Sequence, residues 1–242
     1  MATTGGYTAH SIAPTTRRLS AARVRDLLLV GLTFSSGAID AISFLALGKV
    51  FTAFMTGNVV FLGLGVAGAG GPDVVRVLIA VAAFAAGVFV ATRIVGASKG
   101  CGVWPRRVSV ALGLTVALQA VFLVVWITTS GRPGTGSGDV LTALMALAMG
   151  VQSGAVMALA VEGVFTTAAT ATVMFLIRDV ALRSGSTAPE RARLAGVLLA
   201  LFAGATAGGL LLFHARTYAP VLPLIATALV IGAASIARTA PA

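Results

Sequence analysis

The side chains that could carry out chemistry here are one acid inside an apolar run and two small groups of hydroxyl and amide residues. Asp40 is the acid, and it lies within the apolar run from Leu27 to Leu47. A carboxylate inside a membrane is costly, so it is a functional-site hypothesis by default. Facing a cavity, Asp40 would bind a cation or carry a proton. Facing protein, it would pair with Lys49 or cap a nearby helix end.

Two short apolar runs, residues 50–68 and 164–177, carry the hydroxyl and amide groups. Such groups donate and accept hydrogen bonds without a fixed charge, so they could bind a neutral solute or replace the hydration of an ion. A spacing of four places Thr52 with Thr56, and Thr166 with Thr170, on one helical face. The alternative is that these hydroxyls bond carbonyls of their own helix. The predicted substrate-binding residues are Asp40, Thr52, Thr56, Gly57, Asn58, Gln152, Thr166, Thr167, Thr170 and Thr172.

The sequence carries no signature of catalysis or of a cofactor. Its His, Cys and acidic residues do not occur at metal-ligand spacing, and it has no nucleophile elbow, phosphate loop or dinucleotide motif. We therefore predict no enzymatic activity, no metal and no cofactor. The alternative is a membrane-embedded enzyme that uses Asp40 on a lipid-soluble substrate, and it requires a second group such as His214 or Glu162 beside Asp40.

Composition places the chain in a membrane. Of the 242 residues 58% are apolar and 10% are charged, and the mean hydropathy is +1.01. Soluble domains carry about 25% charged residues, so a soluble enzyme, a disordered chain and an ordinary nucleic-acid binder are excluded. The net charge of +10 comes from 17 basic against 7 acidic residues. Basic residues gathered in short loops between apolar runs are typical of a multi-pass membrane protein.

The chain contains an internal duplication. Residues 50–62 match residues 164–176 at seven of thirteen positions, with an offset of 114. The same offset superimposes other apolar runs in the same order. We assign repeat 1 to about residues 27–129 and repeat 2 to about residues 140–238.

The charge distribution favours six spans over eight. If the two short runs do not cross, the termini and the loops 93–107 and 178–193 share one side and hold 13 of the 17 basic residues. If all eight runs crossed, 11 basic residues would lie on one side of the membrane and 6 on the other. Because the cytoplasmic side carries the excess of Lys and Arg, the six-span arrangement is preferred. Each half then has three spans, which makes the repeat inverted, as in many transporters.

Residues 37–48, with Asp40 near their start, are followed by the sequence Met55-Thr56-Gly57-Asn58. This combination resembles the YoaK-like family of bacterial multi-pass membrane proteins, also called domain of unknown function 1275. The resemblance spans about residues 25–238. It implies a six-span inner-membrane protein and implies no substrate.

We therefore predict an all-α integral membrane protein with six transmembrane helices and two short interrupted or re-entrant elements in an inverted 3+3 repeat. Residues 1–25 form a disordered basic tail, and residues 26–238 form one membrane domain in the plasma membrane, with both termini cytoplasmic. The predicted function is a small-solute or ion transporter or channel. A scaffold or partner subunit without a cavity is an alternative. The predicted partners are the lipid bilayer and a small solute or ion, without nucleic acid, and a homo-oligomer is left open.

Overall fold

The regular secondary structure in the described part of the chain is helical. The computed structural model describes residues 15–96, 104–159, 161, 169–182 and 188–239. In these residues a 3-10 turn, Arg216–Tyr218, precedes the last α-helix. The α-helices in chain order are α1 (Thr15–Ala46), α2 (Met55–Val66), α3 (Val74–Val95), α4 (Arg106–Thr128), α5 (Thr135–Met157), α6 (Ala169–Leu182), α7 (Ala188–His214) and α8 (Val221–Thr239).

Six helices in the described residues are long and apolar enough to cross a membrane, namely α1, α3, α4, α5, α7 and α8. The other two have 12 and 14 residues. At 1.5 Å per residue, α2 and α6 measure about 18 and 21 Å, less than the roughly 30 Å of a hydrocarbon core. The prediction of an all-α fold with six spans and two short elements is therefore confirmed.

The first helix begins earlier than we predicted. Helix α1 starts at Thr15 and runs for 32 residues, so the prediction of a disordered tail is wrong for residues 15–25. The segment contains four arginines and two alanines, which have high helix propensity and extend the apolar span as a continuous helix. Residues 1–14 lie outside the described residues.

Two pairs of long helices approach each other closely, α1 with α7 and α3 with α5. On α7, a β-carbon added at Gly204 would overlap the carbonyl oxygen of Phe34 in α1. On α5, a β-carbon added at Gly150 would overlap the carbonyl oxygen of Phe84 in α3. Each glycine is the first of a GxxxG spacing, Gly204/Gly208 and Gly150/Gly154. A β-carbon added at Gly208 would lie 2.6 Å from the carbonyl oxygen of Ala38, and one added at Gly154 would lie 2.7 Å from the β-carbon of Ala91. Small residues let membrane helices approach closely, and both spacings serve that purpose here.

Helix starts and packing partners both repeat along the chain. Helices α2 and α6 begin at Met55 and Ala169, and α3 and α7 begin at Val74 and Ala188. Both pairs of starts follow the offset of the sequence repeat. The helix contacts repeat as well. Helix α2 packs on α3 as its counterpart α6 packs on α7, and α4 packs on α5 as its counterpart α8 packs on α1. These relationships support the duplication, and the inversion stays a prediction.

The bundle has an apolar cluster at each end. We call the end where α1 begins the proximal end and the end where α1 finishes the distal end. The proximal cluster includes Leu29, Trp104 and Val197, and the distal cluster includes Ile39 and Trp126. The proximal cluster contains residues of all six long helices, and the distal cluster contains residues of α1, α4, α5 and α7. Burial of these side chains holds the helices together, because in a bilayer close packing drives helix association.

Candidate functional site

The chain reverses direction directly after α1. Gly48 and Lys49 both have positive φ, 82° and 60°, and the N–H of Lys49 donates to the carbonyl oxygen of Phe44 over 3.1 Å. Glycine adopts this conformation without steric cost, which explains its place at the helix end. The reversal brings Phe51 back onto α1, where its ring stacks on Phe44 with 4.9 Å between centroids.

Asp40 anchors the segment that leads into α2. Its Oδ1 accepts the backbone N–H of Thr52 over 3.0 Å and that of Ala53 over 2.8 Å. Hydrogen bonds to a carboxylate are roughly twice as strong as neutral ones, so these donors compensate part of the cost of a charge in the membrane. Asp40 thus contacts the segment that precedes α2, and whether it also binds a ligand stays a prediction. None of the ion pairs among the described residues includes Asp40.

Asn58 closes the same segment from the other side. Its Nδ2 donates to the carbonyl oxygen of Phe51 over 2.6 Å, and its Oδ1 accepts the N–H of Phe51 over 3.1 Å. The side chain is fully buried. Gly57 lies against aromatic rings, since a β-carbon there would come within 2.8 Å of Phe54. Both predicted binding residues therefore shape the segment before α2, and neither lines the cavity described below.

The predicted stripe of Thr52 and Thr56 on one helical face is wrong. Helix α2 begins at Met55, after Thr52, so the two threonines do not share a helix. Thr52 is buried, and its hydroxyl lies 3.5 Å from that of Ser43. Thr56 is exposed. A spacing of four predicts a shared face only where both residues are helical.

The second threonine cluster is described only in part. Thr166 and Thr167 lie outside the described residues, so their predicted role stays a prediction. In α6, Thr170 is exposed and Thr172 is buried. In the sequence repeat Thr170 corresponds to the exposed Thr56, and Thr172 corresponds to the buried Asn58. The two short helices therefore share a burial pattern at these positions.

A cavity of about 500 Å³ lies beside Asp40, between α1, α7, the segment before α2 and the first residue of α6. This volume falls within the roughly 300–1,000 Å³ of small-molecule sites. Among its described lining residues Asp40 is the one charged group, and three phenylalanine rings form much of the wall. The lining residues are Gly37, Asp40, Ala41, Phe44, Leu45, Phe51, Phe54, Ala169, Leu201 and Ala205.

Both short helices begin at this cavity. Phe54 immediately precedes α2, Ala169 is the first residue of α6, and both residues line the cavity wall. Lipid cannot satisfy backbone groups at a helix end, so a helix that begins within a membrane must face protein or water there. In the segment that leads into α2, Asp40 accepts two such backbone groups, the N–H groups of Thr52 and Ala53.

Gln152 of α5 contacts α1 at Ser36, one helical turn before Asp40. Its Nε2 donates to the hydroxyl of Ser36 over 2.9 Å and to the carbonyl oxygen of Leu32 over 3.3 Å. The side chain is fully buried and does not line the cavity. Its position nevertheless extends the polar surroundings of Asp40 toward the proximal end.

A polar stripe on α1, formed by Thr33, Ser36, Asp40 and Ser43, was not predicted from the sequence. Three of its members are buried, and Asp40 is partly buried. Spacings of three and four put all of them on one face, so the spacing itself was the available signal. The phenylalanine rings of the cavity were missed because no local pattern separates them from rings that face lipid.

Comparisons with known proteins point to one family. Residues 28–234 match the model of the family described as protein of unknown function (DUF1275). The UPF0700 transmembrane protein YoaK of Bacillus subtilis (strain 168) is 36% identical over 165 residues, which cover 68% of this chain and 71% of that protein. No solved structure matches the chain significantly.

Proposed function

The chain belongs to the DUF1275 family and is a multi-pass membrane protein, and we propose that it carries a small solute or ion across the bilayer. One observation carries this proposal. A cavity of about 500 Å³, with a single carboxylate among its described lining residues, lies where both short helices begin. Helices interrupted within the membrane, next to a cavity, form the binding sites of many transport folds.

The repeat supports the same conclusion. Helices α3 and α7 begin one repeat offset apart and pack on α5 and α1, which are themselves counterparts. With three spans in each half, the second half would be inverted relative to the first. Inverted repeats place the substrate at the interface of the two halves, and rocking of one half against the other then gives alternating access. The cavity meets this expectation because its wall includes residues of both halves, Asp40 and Leu201 among them.

The polar stripe supports a route that continues beyond the cavity. One helical turn from Asp40 toward the proximal end, Gln152 donates a hydrogen bond to Ser36 inside the bundle. Such side chains would give a solute or ion hydrogen-bond partners on the proximal side of Asp40.

We propose transport rather than catalysis. An enzyme would need a second reactive group beside Asp40. His214 is exposed at the end of α7, and its Nδ1 lies 2.8 Å from the carbonyl oxygen of Leu210, outside the described cavity wall. Glu162 lies outside the described residues. The orientation we propose puts the proximal end in the cytoplasm of the cell, because the loops at that end hold most of the basic residues.

The test is electrical or tracer flux in proteoliposomes with K⁺, Na⁺, protons and benzyltrimethylammonium as separate probes. We expect flux of at least one probe above that of empty liposomes, and a loss of tenfold or more in Asp40→Asn. The matched control is Asp73→Asn at the first position before α3, where asparagine caps a helix as well as aspartate does. Flux no greater than in empty liposomes for all four probes would overturn the proposal, as would an unchanged flux in Asp40→Asn.

A further inference from the structure

We propose that the ligand of the Asp40 cavity is a small organic cation, an amine or quaternary ammonium ion with an apolar or aromatic body. This inference rests on the proposed function only for its biological meaning, since binding itself requires no transport. The relationship that carries it is a single carboxylate set among aromatic rings in a cavity large enough for a small molecule.

The charge of the cavity selects a cation. Asp40 is partly buried, and none of the ion pairs among the described residues includes it. A buried carboxylate is stabilised by a cation that reaches it. The N–H groups of Thr52 and Ala53 already donate to Asp40, so they are not available to bind an anion. An anionic ligand would meet the carboxylate with a like charge.

The walls select an organic cation over a bare metal ion. Hard metal cations require several oxygen ligands, and the described lining offers the carboxylate of Asp40 among side chains that are otherwise hydrocarbon. A quaternary ammonium ion needs no oxygen cage, because its charge is spread over carbon substituents and is attracted to aromatic faces. Phe44, Phe51 and Phe54 line the cavity. The ring of Phe51 is stacked between Phe44 and Phe61, with 4.9 and 6.1 Å between centroids, and meets Phe54 edge to face at 5.3 Å. The aromatic faces left for a cation are therefore those of Phe44 and Phe54.

The rim of the cavity suits a ligand that is partly apolar. Phe54 and Leu45 line the cavity and are also exposed, by 37% and 48%. The cavity therefore opens to the side of the bundle between α1 and the segment before α2. An amphipathic cation concentrates near the membrane surface and would enter there with its apolar body in contact with these side chains.

The experiment is calorimetric titration of the full-length protein in detergent with three water-soluble probes. Benzyltrimethylammonium is the organic cation, phenylmethanesulfonate has a similar body with a negative charge, and K⁺ is the bare ion. We expect saturable binding of benzyltrimethylammonium alone. Saturable binding of the sulfonate, or of K⁺ without the ammonium ion, would overturn the inference, and so would the absence of binding by the ammonium ion.

Three variants locate the binding. Asp40→Asn keeps an oxygen that accepts the N–H groups of Thr52 and Ala53 but removes the charge, so we expect a tenfold or greater loss of affinity. Phe54→Leu keeps an apolar wall but removes a ring face, and we expect a loss of about two- to tenfold. Asp73→Asn should bind like the parent. A melting temperature close to that of the parent shows that each variant is folded. Unchanged affinity in folded Asp40→Asn would overturn the site assignment.

The two proposals fail separately. Binding of benzyltrimethylammonium without any flux would overturn transport and leave the ligand class standing. Flux of K⁺ or protons by a protein that does not bind the ammonium ion would overturn the ligand class and leave transport standing.

Discussion

Arg76 and Asp139 form an ion pair that joins the first turns of α3 and α5, with 2.6 Å between Nε and Oδ1. Arg76 also donates to the carbonyl oxygens of Leu47 and Thr135 over 3.3 and 3.1 Å. One side chain therefore ties the distal ends of α1, α3 and α5 together, directly beside the turn that precedes the cavity segment.

The opposite end of the bundle has a counterpart of this ion pair. At the proximal end Arg193 of α7 lies 3.8 Å from Asp26 of α1. Helices α7 and α1 correspond to α3 and α5 in the duplicated sequence, so the two ion pairs link equivalent helices at opposite ends. The distal pair is the shorter of the two, 2.6 Å against 3.8 Å.

The first prediction concerns the strength of the distal pair. We expect a double-mutant cycle of Arg76→Ala and Asp139→Ala to give a coupling energy of about 1–3 kcal/mol, because both side chains are partly buried. Arg76→Ala should cost more than Asp139→Ala, since it also removes the donors to Leu47 and Thr135. Reversible unfolding in mixed micelles measures the free energy of unfolding of the parent, the two single variants and the double variant. Strictly additive losses would show that the pair contributes no coupling.

The second prediction concerns close helix packing. Gly204→Ala places a β-carbon against the carbonyl oxygen of Phe34, and we expect a loss of about 1–3 kcal/mol in the free energy of unfolding, as for other overpacked sites. Gly113→Ala in α4 is the control, because a β-carbon there meets nothing within 4 Å. It should leave stability unchanged or raise it slightly, since alanine is the better helix former. Equal losses in both variants would contradict the packing role of Gly204.

The third prediction concerns the loop before α2. Asn58→Ala leaves the N–H and carbonyl oxygen of Phe51 without their side-chain partners, and each unsatisfied buried group costs about 1–3 kcal/mol. We expect a clear fall in unfolding free energy. Thr56→Ala, at an exposed position two residues away, should be near neutral. Thermal unfolding followed by circular dichroism gives the comparison, and a neutral Asn58→Ala would show that the loop does not depend on this amide.

The fourth prediction concerns topology. Cys101 is the single cysteine of the chain and lies in the sequence between α3 and α4. We expect a membrane-impermeant maleimide to label it in inside-out vesicles and not in intact spheroplasts. In a Cys101→Ser background, Gly71→Cys between α2 and α3 should show the opposite labelling. Labelling of both positions from one side would contradict an arrangement in which α3 crosses the membrane and α2 does not.

Local sequence determined the membrane class, the six spans and the close-packing glycines. An apolar run of sufficient length predicts a span because the bilayer imposes the length. The GxxxG spacings predict close packing because only small residues allow backbones to touch. The offset of 114 likewise predicted where α2 and α6 begin relative to each other. Each of these features depends on neighbours within a few turns or on direct comparison of two segments.

Tertiary structure decided what the polar residues do. Asp40 contacts the N–H groups of Thr52 and Ala53 only because the chain turns back at Gly48 and Lys49. Asn58 faces the backbone of Phe51 for the same reason. The cavity needs Leu201 and Ala205 of α7 against α1, a contact between distant parts of the sequence. Helical periodicity states which residues share a face, but the direction in which a short segment turns, and the helix that covers it, depend on packing across the whole bundle.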